Sequence, residues 1–559
     1  MSHVEGEIQR APSPIGNSSL VDTIFHLPYV QASHPDNAFG ADGELLVRLL
    51  DAGNRRHVNE SRAYRILLGL EGVWAGWDWQ LSGLASRNKV EKKFHNMVSY
   101  DRFQMALLGR GGEEENLWYN PFGYLPQNDQ SVVDWLRTTA RSEDRSEEFS
   151  VDLLFNRLFG SLPGGQAGMA IGFQYREQTL RQWADDQLLS GVLGPRHEPV
   201  SAQRDITSVF TELSLPLLDN LEAQVALRYE HYSDFGSTTN PKLALRWRPM
   251  TSLMFRASYS KSFKPPAFYE LYAPLNHRWK WYEDTVRCEY LDPDTDCWIQ
   301  VPVEDSGNPV LDAEKGRSWF GGMVWKPGFF PGFEFQLDFW KFTHEDRIEW
   351  PGAQTVLDQG GNFGIIREAD EPDGTPGRII LVKETFINTD KLETRGFETT
   401  LRYRWQTKSA GHFRIGLIHT YIDKWIITDS AQLNIEGKNY AGKYRWSNAL
   451  PRNRANLNFS WARGRHAASA NVHYIGHYEN FSVLWVDGVE TDEPMIIPDH
   501  TTVDLQYSYS FSGFRNATLR FGCRNVTDKQ PPTTYSPVNE PFHDARGRFF
   551  YFRWQQPIF

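Results

Sequence analysis

Cysteine is nearly absent: only three of the 559 residues. A fold framed by several disulfides is excluded. No stretch approaches the roughly 20 consecutive apolar residues a spanning helix needs. With 23% charged residues and a mean hydropathy of -0.53, a helical membrane protein is excluded as well. Basic residues form no block, and the formal net charge is -11. A nucleic-acid footprint is therefore not expected. The sixteen histidines and three cysteines show no structural-zinc spacing. No G-x-S-x-G, P-loop or strand-to-helix G-x-G-x-x-G is found, so neither an enzyme motif nor a cofactor site is read. The opening stretch "MSHVEGEIQRAPSPIG" lacks a basic start followed by an apolar core, so no secretion signal is read there.

What is present is alternation. In "TTVDLQYSYSF", Val503, Leu505, Tyr507, Tyr509 and Phe511 share one face, and Thr502, Asp504, Gln506, Ser508 and Ser510 the other. Period two means strands. A soluble sandwich would turn the apolar face inward, and a membrane barrel would turn it to lipid.

Loop lengths separate the two. Paired strands are joined by short turns rich in Gly, Pro, Ser, Asn and Asp, as at Ala75-Gly76. The connections between hairpins are long: 89–145, 264–313, 351–389, 428–450 and 529–546. Long loops on alternate connections put short turns on one rim and long loops on the other, the pattern of an outer-membrane barrel. Many strands also reach the roughly 9–11 residues that cross a bilayer at a tilt. The expected fold is all-β, an antiparallel up-and-down transmembrane β-barrel.

Five stretches carry a family resemblance. "SYSKSFKPPAFYELYAP" (258–274) contains Ser262, Phe263, Pro265 and Pro266, and "GNPVLDAEKG" contains Asn308 and Pro309. "NTDKLETRGFETTL" contains Arg395, Gly396, Phe397 and Glu398, and "LPRNRANLNFSW" follows. "GCRNVTDKQPP" with "DARGRFFYFRW" supplies Asn525, Asp528, Gly547 and Arg548 before the terminal Phe559. In this order they resemble the barrel of TonB-dependent outer-membrane receptors. "HPDNAFG" and "NPFG" resemble segments of the same family's large-loop branch.

The resemblance implies a receptor of the outer membrane of a Gram-negative bacterium. It implies outer-membrane lipid around the barrel and a scarce small-molecule or metal-chelate ligand, such as an iron–siderophore, haem, cobalamin or an oligosaccharide. It also implies a TonB complex acting through a plug domain. Plug, TonB box and signal peptide are not visible in the sequence. About 17 strands are read, against a 22-stranded receptor barrel. Residues 1–61 read as an external-loop-like segment and 62–559 as the barrel region, expected to be incomplete. Two other classes stay open: a plug-free, passive porin-like channel, and a soluble carbohydrate-binding β-protein.

Ligand candidates come from the aromatic loop "FYELYAPLNHRWKWYEDTVRC". Tyr269, Tyr272, His277, Trp279, Trp281 and Tyr282 offer rings that stack on a sugar, a porphyrin or an aryl siderophore. The bland alternative is loop self-packing. Pro265 and Pro266 end a strand by removing ladder donors. Arg395 shares a face with Phe397, which leaves Glu398 facing the lumen. Cys288 and Cys297 are close enough in sequence for a local disulfide, with two free thiols as the alternative.

Overall fold

The structure is a computed structural model. It describes residues 2–15, 28–122, 128–194, 196–290, 297–357, 364–428, 438–445, 448–486, 489–512, 517–532, 543–544 and 546–556. Phe559 lies outside the described residues.

A nineteen-stranded sheet dominates the molecule. Ser2–Arg10 and the two-residue Lys438–Asn439 lie on it as additions. The other seventeen strands form one antiparallel meander from Arg55–Trp74 to Phe549–Gln555, as the alternation requires. Ala75 (φ 51°) and Gly76 (φ 79°) make the two-residue turn into Trp77–Val98, the double left-handed geometry that twists with the strands. Short turns also join Leu162 to Gly165, Leu218 to Leu221, Met250 to Leu253 and Arg463 to His466. The opposite rim carries every long connection and one short one, between Tyr232 and Gly236.

Two expectations need correction. The segment 89–145 is not a plain loop: Trp77–Val98 and Arg137–Leu162 run deep into it, paired from Asp78↔Asn156 to Val98↔Arg137. The sheet also begins before residue 62. Arg55–Trp74 starts seven residues earlier, and Ser2–Arg10 lies antiparallel on it, from Ser2↔Ala63 to Arg10↔Arg55. Polar residues crowd both stretches, and apolar ones such as Val4, Ile8, Phe94 and Met97 are too few to mark one face, so alternation could not reveal them. Among the described residues, no register joins Phe549–Gln555 to the first strand.

The two faces differ as a membrane wall demands. Val225, Leu227, Tyr229, Leu243, Leu245 and Trp247 project outward, each 40–47% exposed. Glu222, Arg228, Glu230 and Arg246 take the alternate, inner positions. Near the short-turn rim the outer aromatics touch in series: Phe330–Tyr403 at 4.7 Å, Tyr403–Trp405 and Trp405–Phe413 at 4.9 Å, and Phe413–Phe459 at 6.3 Å between centroids. Such a row is the interfacial girdle of a membrane barrel.

Inner charges are mostly paired. Arg256 grips both carboxylate oxygens of Asp338 at 2.8 Å. Gly322 makes room for that pair, since a Cβ there would lie 2.2 Å from Asp338 Oδ1. Arg228 donates to Glu230 at 2.9 Å, Ser208 at 3.0 Å and Gln174 at 2.8 Å.

Candidate functional site: a vestibule under the long loops

The long loops build structure of their own. Asn276–Glu283 pairs antiparallel with Trp298–Ser306, which runs parallel to Ile379–Thr385, itself antiparallel to Ile365–Arg367. Val301, Val303, Val356, Leu357 and Val382 form the core of this four-stranded roof. Alternation within Asn276–Glu283 turns His277, Trp279 and Trp281 outward and Arg278, Lys280 and Tyr282 inward.

The roof's inner face is ionic. Lys280 Nζ meets Glu384 Oε2 at 2.8 Å, and the Tyr282 hydroxyl donates to Glu384 Oε1 at 3.0 Å. Burial works against the Glu384 charge, yet the Lys280 ammonium and the Ala353 amide hold its carboxyl below the ordinary range. Arg367 binds both oxygens of Asp284 at 2.7 and 2.6 Å. Cys288 and Cys297 are bonded, with Cα atoms 5.3 Å apart.

Below the roof, the strand Leu253–Lys264 ends and Pro265-Pro266 leads into the short helix Phe268–Tyr272. Arg204, on Ser201–Leu218, fixes this exit. Its Nη1 donates to the Pro266 carbonyl at 3.1 Å and lies 3.3 Å from Asp234 Oδ2, while its guanidinium covers the Phe268 ring at 4.2 Å. The Arg204 and Asp234 side chains are only 7% and 2% exposed. Phe268 and Tyr269 thereby fold over a cavity of about 710 Å³ on the inner wall. Its polar lining includes Arg65, Ser86, Glu148, Gln178 and Arg204. Gln178 donates to Glu148 at 2.9 Å, so the wall is already ordered. Burial, then the charges of Glu198 and Asp305, push the Tyr269 hydroxyl up. Burial also raises Glu198 and Asp305 themselves. Donors, acceptors and two rings around one cavity suit a compact polar ligand with aryl character.

Of the six aromatic-loop candidates, only Tyr269 lines this cavity. Tyr282 is a correction: at 4% exposure, bonded to Glu384, it belongs to the roof core. His277, Trp279 and Trp281 decorate the roof's outer face, and Tyr272 stacks loosely on Phe268 at 6.4 Å. Arg65, Glu148, Gln178 and Arg204 escaped the sequence reading because a polar residue on an alternating strand carries no mark of its height in the wall.

The motif residues act as fasteners. Ser262 faces Gly316, and Phe263 packs on Tyr232 at 5.7 Å. Asn308, before Pro309, donates to the Phe386 carbonyl at 2.8 Å and ties the two roof loops together. Arg395 Nε meets Asp423 at 2.6 Å. Phe397 packs outward on Phe339 at 5.4 Å, and Gly396 yields to the Trp340 ring. Glu398 registers with Asp338 on the inner wall. Asn525 (φ 47°) bonds both amide and carbonyl of Lys529, at 3.0 and 2.9 Å. Asp528 accepts from the Arg548 amide at 2.8 Å beside Gly547, closing the neck of the last long loop. The "HPDNAFG" and "NPFG" segments meet in a separate cap: His34 Nε2 lies 3.1 Å from the Tyr119 carbonyl, and the Phe39 and Phe122 rings are 6.2 Å apart.

A meander of long, outward-apolar strands with one elaborate rim defines an outer-membrane-type barrel wall. The sequence matches the family described as "TonB dependent receptor-like, beta-barrel" over residues 24–526, and the chain belongs to it. No curated protein sequence matches. Among solved structures, the siderophore receptor PirA from Acinetobacter baumannii aligns at 16% identity and TM-score 0.56, covering 89% of this chain and 62% of that one. A mutant of the ferric enterobactin receptor PfeA from Pseudomonas aeruginosa, in complex with enterobactin, aligns at 17% identity and TM-score 0.53 with the same coverages. These likenesses are of fold. The chain spans less than two thirds of those receptors' length.

Proposed function

We propose that this chain is the barrel of an outer-membrane receptor that captures a small chelate-type ligand, such as an iron–siderophore, in the vestibule beneath Phe268 and Tyr269. The observation that carries the reading is the 710 Å³ cavity, walled by Arg65, Glu148, Gln178 and Arg204 and roofed by two rings. Family membership and the siderophore receptors among its structural relatives support the ligand class. The surrounding partner is the lipid of the outer membrane. TonB, acting through a plug, is the partner the family implies for release of the ligand. The protein acts as a receptor and not as an enzyme.

The test is titration of the chain, folded in detergent, with ferric enterobactin and with ferric hydroxamates, followed by tryptophan quenching. Saturable binding of one ligand class, weakened about tenfold by Tyr269→Ala through lost stacking, is the expected result. Ion conductance in planar bilayers without saturable binding would instead establish a passive channel.

A further inference from the structure

The opposite end of the inner wall carries an arrangement that the vestibule does not explain. Arg404 registers directly with Arg414, and Arg520 directly with Arg553. Side chains opposed in an antiparallel pair have Cβ atoms about 4.5–5.5 Å apart, and like charges there repel. Many inner-wall arginines are paired, Arg228 with Glu230, Arg246 with Glu222, Arg256 with Asp338 and Arg402 with Glu334, and Arg65 and Arg176, which are not, face no second arginine across the ladder. Among the described residues, none of the four opposed arginines has a carboxylate within 4.0 Å. Acids on the adjoining strands are engaged: Glu334 by Lys326 and Arg402, and Asp504 by His473 and the Asn525 amide.

The four arginines flank one concave stretch close to the short-turn rim. Arg404 and Arg414 border a cavity of about 590 Å³ that also holds Ser460, Ser469, Gln506 and Ser508. Gln506 is shared with a second cavity of about 480 Å³ bordered by Arg520, Tyr551 and Arg553. From the strand of Arg414 to that of Arg520 the sheet takes four steps. At about 4.8 Å per step, the facing members of the two pairs stand roughly 19 Å apart, and the gaps within the pairs, half a step further out at each end, roughly 24 Å. The floor between them is neutral and rich in hydrogen-bonding groups, among them Ser460, Ser469, Gln506 and Ser508.

We propose that this wall seats an extended acidic polypeptide segment, with one carboxylate between Arg404 and Arg414, another between Arg520 and Arg553, and its backbone on Ser460, Ser469 and Gln506. A compact anion meets one pair and leaves the other repelling. An extended chain at about 3.3 Å per residue covers the roughly 24 Å between the gaps in about eight residues. The site faces the lumen, so a lipid headgroup is not its source of charge.

The probe is a fluorescein-labelled octapeptide with aspartate at both ends and Gly-Ser repeats between, measured by anisotropy on the full chain in detergent. Heat-modifiable migration checks the fold of each variant. Binding is expected to weaken with salt and to fall about tenfold in R404Q/R414Q and again in R520Q/R553Q, each pair losing charge-assisted bonds. R404K/R414K should retain most of it. Charge reversal in R404E/R414E/R520E/R553E should transfer binding to the lysine-ended peptide. Unchanged affinity in both neutral variants would overturn the site. Full displacement by tripolyphosphate at equimolar concentration would overturn the extended polypeptide as its occupant.

Discussion

Arg204 and Asp234 meet 3.3 Å apart, both side chains more than nine-tenths buried, at the point where the wall becomes loop. A buried pair of this kind contributes little relative to apolar replacements, but either partner left alone is costly, about 3–5 kcal/mol. Asp234→Asn should therefore destabilise strongly, and Arg204→Met with Asp234→Asn should recover much of the loss. Thermal unfolding in detergent measures both. Equal stability of the single and double variants would show that the pair is wetter than its burial indicates.

The face assignment gives a second test. Tyr507 is 43% exposed on the outer wall, whereas Gln506 accepts from the Tyr551 hydroxyl at 3.0 Å on the inner one. Arginine at Tyr507 should cost about 2–4 kcal/mol if it lies near the bilayer midplane, and less near an interface. Glutamate at Gln506, facing the lumen beside Arg520 and Arg553, should be nearly neutral. Refolding equilibria in lipid vesicles distinguish the two. Equal costs would count against a membrane wall.

Reduction probes the roof. The Cys288–Cys297 link closes a loop of sequence separation 9. By the chain-entropy relation such a loop is worth about 2.5 kcal/mol. Cys288→Ser with Cys297→Ser should make 265–313 the first segment cut in limited proteolysis, with the barrel strands still protected. Mass spectrometry of unreduced peptides tests the link itself, and two free thiols in protein made in an oxidising compartment would refute it.

Acid should loosen a different contact. His543 lies 4.8 Å from the His500 ring and 3.1 Å from the Tyr478 hydroxyl. Burial, then the neighbouring His500, lowers His543 to about 4. The folded state therefore binds a proton less readily than the unfolded chain, whose histidine titrates near 6.5. The contribution is intact above about pH 6.5 and declines as pH falls toward 4. Hydrogen exchange around Tyr478 should accelerate across that window, and His543→Gln should flatten the dependence.

Much of the wall was legible in the sequence. Alternation is forced wherever lipid lies on one side and a polar lumen on the other, so the meander and the segregation of long loops could be read. The limit has the same cause. In "KVEKKFHNMV" and "RTTARSEDR" charged residues crowd both faces while Phe94, Met97, Val98 and Ala140 pack under the loops, so alternation vanishes and paired strand reads as loop. Tyr282 shows a second limit: on an eight-residue roof strand the phase that buries Tyr282 and exposes Trp281 is set by Val301, Val303 and Val382 from other segments. Arg204 shows a third, since its role depends on the carbonyl of Pro266, sixty-two residues away.

The tall strands have a consequence for how a cargo is handled. Arg137–Leu162 has 26 residues, about 85 Å of extended chain, of which a bilayer accounts for roughly 10 residues. Arg204 stands five residues toward the loop rim from Val209, an outward-facing apolar residue of the same strand, about 12 Å up a wall tilted near 40°. A ligand held there, as proposed, would lie on the loop side of that apolar position. On the proposed reading, retention at the vestibule and any passage further down the lumen would be separate steps, so substitutions at Arg204 or Tyr269 would change affinity without touching the lower wall.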